Sequence, residues 1–160
     1  MRKLVLIIAV AFTSVAFAQT GVKEDIELIQ SFYGKSKQEL VSAYMVLKEP
    51  QLSEFTKVYE AYEQERKVLA QKRMQIISDY ATNYATLDDA KADAIAKASL
   101  ANNLAYEKLY AKYYGKAKKV IGALNAAKFI QLETALHTVI REETQNAIPF
   151  IGEIDRTKKM

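Results

Sequence analysis

The sequence predicts an all-α protein: four long helices in two helix-turn-helix hairpins. Three observations carry this. Glycine and proline are scarce, five and two in 160 residues, while the strong helix formers Ala, Lys, Glu, Gln and Leu are abundant. Apolar residues recur at steps of three and four along most of the chain, which places them on one side of a helix. The main interruptions, near Pro50, Thr86 and Gly122, carry residues suited to a turn or a helix end.

Arg2 and Lys3 precede the apolar run LVLIIAVAF and the small residues Ala16 and Ala18. This pattern predicts a secretory signal peptide over residues 1–18, removed after Ala18. A membrane anchor is the rival reading, but the run is shorter than the roughly 20 residues a bilayer span needs. The expected location is a bacterial periplasm, with secretion as the alternative. Residues 19–154 then form one helical domain, a usual size for a single core, and residues 155–160 a basic flexible tail. Loss of Arg2 and Lys3 lowers the formal charge from +4 to +2. No basic stripe of the kind nucleic acid requires stands out from the mixed charges. With no cysteine, stability rests on helix packing and not on disulfides.

The first helix is expected over residues 21–45. Ile26, Ile29, Phe32, Tyr33, Leu40, Val41 and Tyr44 form its apolar side, and Gly34 is its weak point. Pro50 suits the first turn of a second helix that runs to about Tyr84. With Lys48 as cap, Gln51 reaches back in a capping box, and Leu47 pairs with Leu52 as a hydrophobic staple. Phe55, Val58, Tyr59, Tyr62, Leu69, Ile76, Ile77 and Tyr80 make the buried face. Thr86 caps a third helix, with Asp88 and Asp89 at its positive end. Ile95, Leu100, Leu104, Leu109, Tyr113 and Val120 form its apolar side, and Gly122 closes it as a left-handed residue. The fourth helix starts at the cap Asn125, with Leu124 and Phe129 as staple, and stops at Pro149. Phe129, Leu132, Leu136, Val139 and Ile140 are its core side, and Phe150, Ile151 and Ile154 are expected to fold back.

The junctions Leu47-Lys48-Glu49-Pro50-Gln51 and Leu124-Asn125-Ala126-Ala127-Lys128 occupy equivalent places, 77 residues apart. They resemble degenerate copies of the Leu-Thr-x-x-Gln motif of the periplasmic stress proteins related to Spy and CpxP, including members labelled heavy-metal resistance proteins. The first copy keeps Leu47 and Gln51 but has Lys48 in place of Thr. The second keeps Leu124 and a capping Asn125 but has Lys128 in place of Gln. The resemblance implies an open, cradle-shaped homodimer. It would hold partly unfolded envelope proteins without ATP, or dampen an envelope-stress sensor.

Tyrosine is the unusual residue. Tyr106, Tyr110 and Tyr113 share one side of the third helix, with Tyr114 adjoining and Lys112 and Lys116 among the lysines around them; Tyr59 and Tyr62 repeat the pattern on the second. Two readings stand. The rings fill a helix interface, the commoner fate of such a stripe, or they form an aromatic, lysine-lined surface that holds client chain loosely.

His137, the one histidine, stands four residues from both Glu133 and Arg141. An ion-pair ladder explains it better than a metal site. Asp88, Asp89 and Asp93 match a helix dipole better than they match a hard cation. The chain has no cysteine nucleophile, Gly-rich phosphate loop, dinucleotide fingerprint or Gly-flanked serine. The expectation is a non-enzymatic holdase without cofactor or resident metal. The alternatives are a regulatory or sensory partner of one envelope-stress or metal-stress protein, or a metal-binding envelope protein.

Overall fold

The computed structural model describes Glu27, Ile29, residues 34–149 and Ile151. The expectations for the signal peptide, for Ile26, Phe32, Tyr33, Phe150 and Ile154, and for the 155–160 tail lie outside the described residues. All regular structure within them is helical, as expected. Helix α1 spans Lys37–Met45, α2 spans Gln51–Asn83, a short 3-10 turn covers Tyr84–Thr86, and α3 spans Asp89–Asn146. The expected third and fourth helices run as one element, α3, interrupted at Gly122 (φ 78°, ψ 166°).

Each boundary has a local cause. The expected helix over 21–45 does not run through residues 34–36: Gly34 takes φ 63°, and Ser36 caps a new start. The Ser36 hydroxyl accepts from the Glu39 N–H at 3.3 Å, and the Ser36 N–H donates to the Glu39 carboxylate at 2.7 Å. This reciprocal box satisfies two otherwise orphaned donors. Helix α1 ends at Val46, which adopts a left-handed conformation (φ 49°, ψ 47°). Pro50 takes the cap position of α2 with no side-chain cap bond. Lys48 therefore sits two residues too early for the expected box with Gln51. Glu49 takes over, accepting from the Ser53 N–H at 3.4 Å and from the Ser53 hydroxyl at 2.7 and 2.8 Å. Leu47 and Leu52 do border one groove, of about 200 Å³. Asp88, not Thr86, caps α3 by accepting from the Lys91 N–H at 2.8 Å.

The second junction departs further from expectation. Leu124 is 84 % exposed, so it staples nothing to Phe129. Asn125 does not accept from a first-turn N–H; its side-chain amide donates back to the Ile121 carbonyl at 3.2 Å. That carbonyl sits at the helix break, where acceptors lack an intrahelical donor. The backbone angles of Gly122 belong to a region essentially closed to residues with a Cβ, beyond the left-handed cap expected there.

At Gly122 the chain folds back on itself. Residues 89–121 run antiparallel to α2, with Tyr113 against Tyr62 and Asn102 bonded to the Leu69 carbonyl. Residues 123–146 return alongside, and pairs such as Phe55–Phe129 and Tyr80–Pro149 set them parallel to α2. Ala117 and Ala126, both fully buried, sit either side of the turn, and their small size lets the two arms approach. The core between these elements and α1 is aromatic. Phe129 presents its ring nearly perpendicular to Phe55, Tyr59 and Tyr62 at 5.2, 6.2 and 5.3 Å. Such edge-to-face pairs each contribute about 0.5–1.5 kcal/mol beyond the area they bury.

Candidate functional site

The tyrosine stripe belongs to the core. Tyr62 and Tyr113 are fully buried, and Tyr106, Tyr110 and Tyr59 keep at most 9 % of their surface. Tyr114 is half-buried against the same cluster. The rings face inward because α2 and the two arms of α3 direct their aromatic sides at one another, leaving no free aromatic face there. Of the expected client-binding residues, only Lys112 and Lys116 are exposed. Lys112 pairs with Glu65 at 2.6 Å, and Lys116 lies 4.6 Å from the Tyr113 ring centre. The Tyr113 hydroxyl also donates to Glu65, at 2.8 Å. Burial, with the Glu65 carboxylate beside it, pushes that hydroxyl up to about 12.

Beneath the stripe lies a buried charge cluster. Lys37 reaches into the core and donates to Glu63 at 2.5 Å and Glu133 at 2.6 Å. Arg66 donates to Glu63 at 2.9 Å, and the Tyr62 hydroxyl to Glu133 at 2.7 Å. Burial opposes the charge on Glu63, yet Lys37 and Arg66 together hold its carboxyl below the ordinary range. Burial beside Glu133 drives the Tyr62 hydroxyl far above its usual range, so it stays a donor. The cluster satisfies most of its charges internally, as buried ions require.

His137 is not part of an ion-pair ladder. Its Nδ1 shares a 2.8 Å hydrogen bond with the Tyr110 hydroxyl, and its ring stacks on Tyr106 at 4.0 Å. Glu133 is committed to Lys37 and Tyr62, and Arg141 is exposed. Burial, with Arg73 and Arg141 nearby, lowers the imidazole to about 3, so it is neutral at physiological pH. Among the described residues no group of three or more His, Asp or Glu is placed to hold a metal ion.

The exposed feature is aliphatic. Leu100 and Leu104, expected in the core, are 67 and 55 % exposed, and Val68 on α2 is 62 % exposed. Val68, Leu69, Ala105 and Leu109 line an open groove of about 380 Å³, bordered by Glu65, Lys108 and Lys112. Leu100, Leu104 and Lys108 follow at steps of four, so both leucines stand on the side of α3 that carries Lys108, next to this groove. The sequence held a signal for this in helix phase: Leu104 and Tyr113 are nine residues apart, about two and a half turns, so they cannot share a side. Asn102, between the two leucines, turns inward to bond the Leu69 carbonyl. The S-x-x-E box at Ser36, which aims Lys37 inward, was equally readable.

No helix among the described residues is long and apolar enough to cross a membrane. No protein-family model, curated protein or solved structure matches the chain.

Proposed function

We propose that this protein is a non-catalytic holdase of the periplasm, exported by a cleaved signal peptide and acting as a homodimer that binds partly unfolded envelope proteins without ATP. The observation that carries the reading is the lysine-bordered aliphatic strip of Val68, Leu100 and Leu104. Contiguous exposed apolar surface on a folded chain marks an interaction site. Open, shallow contacts of this kind suit loose capture and fast release of apolar segments, and the adjoining Lys108 favours acidic ones, Lys112 being paired with Glu65. The tyrosines enter only as the scaffold that holds the strip in place.

The test follows light scattering from an aggregating client at equimolar protein. The expected result is a delay that Val68→Ser with Leu104→Ser abolishes while the circular dichroism spectrum is unchanged. No delay by the wild-type chain, or full protection by the double variant, rejects the reading. A pull-down from periplasm separates the regulatory alternative: one stoichiometric partner supports docking, and a broad set of clients supports the holdase.

A further inference from the structure

The two turns at one end of the bundle carry the two most exposed large apolar residues among those described: Leu124 at 84 % and Val46 at 73 %. Lys128 joins the turns, lying 4.7 Å from the centre of the half-exposed Tyr44 ring. Around them the sequence places six lysines (Lys48, Lys57, Lys116, Lys118, Lys119 and Lys128) against two glutamates, Glu49 and Glu54, over residues 44–57 and 115–130. Glu54 is bonded to Lys57, and Glu49 to Ser53. The opposite end, residues 79–97 and 141–149, which the Tyr80–Pro149 bond holds together, is acidic: Asp79, Asp88, Asp89, Asp93, Glu142 and Glu143 outnumber Lys91, Lys97 and Arg141 there. The molecule is therefore charge-polarised along its length, with aliphatic points on the basic end.

We infer that this end docks onto an anionic phospholipid bilayer, with Val46 and Leu124 entering the acyl boundary and the surrounding lysines meeting headgroup phosphates. Neither residue lines the adjacent groove between α1 and α2, so both project from the surface and do not wall a recess shaped for a peptide. Projecting aliphatics ringed by lysine are the chemistry of interfacial binding, where apolar insertion and attraction to anionic lipid add. Tyr44 sits behind them, suited to the headgroup level. Val46 points the same way: a β-branched residue at φ 49° is a rare, strained choice, and here it places an isopropyl group in solvent. The acidic far end orients the approach by its repulsion from the same surface. The inference does not depend on the holdase reading.

The test is co-sedimentation of the full chain with vesicles of phosphatidylglycerol and phosphatidylcholine in equal parts, and with phosphatidylcholine alone. Binding to the anionic vesicles is expected to weaken with salt. Lys118→Glu with Lys119→Glu should weaken it by about tenfold or more. Val46→Asn with Leu124→Gln should weaken it comparably, although Asn relieves the backbone at position 46 and the fold is retained by circular dichroism. Lys91→Glu with Lys97→Glu, at the far end, should leave binding unchanged. No binding, or binding that the end variants do not alter, overturns the proposal. So does self-association without vesicles that the same variants abolish, which would assign the basic end to the acidic end of a second copy.

Discussion

Lys37 and Glu133, 96 residues apart in sequence, meet in a 2.6 Å hydrogen bond inside the helical core. Their side chains keep 9 and 1 % of their surface. The contact ties helix α1 to the returning arm of α3, and it stands over the Tyr62 ring, whose centre is 5.2 Å from the ammonium.

Removing one partner of such a pair strands the other. Lys37→Met is expected to destabilise the fold by about 3–5 kcal/mol, because Glu133 is left charged and buried. Adding Glu133→Gln should recover much of that, since the amide oxygen still accepts from Tyr62. Urea unfolding at neutral pH measures both. A double variant no more stable than the single one would show that the pair does not act as a unit.

The buried tyrosines predict a stability phenotype. Tyr110→Ala and Tyr113→Ala should each cost about 3–5 kcal/mol, as large-to-small core changes do. Lys112→Ala, which breaks an exposed pair, should cost less than about 1 kcal/mol. If thermal melts found the alanine variants as stable as wild type yet defective in client capture, the aromatic-surface reading would return.

Between pH 6.5 and 5, acid should loosen the fold chiefly through one residue. His137 titrates at about 3 when folded and near 6.5 when unfolded. Both states are neutral above pH 6.5, so no penalty arises there. As pH falls below 6.5 the unfolded chain binds a proton that the folded chain refuses, and stability drops by up to about 1.4 kcal/mol per unit. Below about 4.5, protonation of Glu63, whose folded carboxyl is held low, adds to the loss. Urea midpoints between pH 7.5 and 5 should therefore decline, and His137→Leu should flatten the decline, since the chain has no other histidine. An equal slope in the variant would discount the buried imidazole.

Two glycines should respond in opposite directions. Gly122→Ala is expected to cost about 1–3 kcal/mol, purely from the backbone, because nothing lies within 4 Å of the added carbon. Gly115 lies inside α3 with the same open space, and Gly115→Ala should stabilise by about 0.5–1 kcal/mol. Paired thermal melts decide it; a neutral Gly122→Ala would mean that the turn tolerates a shift in φ.

Much of the fold was legible because its causes are local. The apolar positions Phe55, Tyr59, Tyr62, Leu109, Tyr113, Phe129, Leu136 and Ile140 all proved buried, as their helical spacing required. The capping details were less legible: Lys48–Gln51 and Asn125 occupy plausible cap positions, but Pro50 and Gly122 moved the true helix ends by a few residues. Leu100 and Leu104 do not share the phase of the buried stripe: Leu104 and Tyr113 are nine residues apart, about two and a half turns, and so face opposite sides, with Asn102 turned inward between the leucines to bond the Leu69 carbonyl.

The sequence alone determined that the chain is helical, that it breaks near Pro50 and Gly122 and that Gly34 is a weak point, since backbone sterics and apolar period act within a few residues. Only the tertiary structure decided that the tyrosines face inward, that Lys37 joins Glu133 in the core, and that an aliphatic strip and a basic end face solvent. A helix period says that a side is apolar; what covers that side depends on residues far away along the chain.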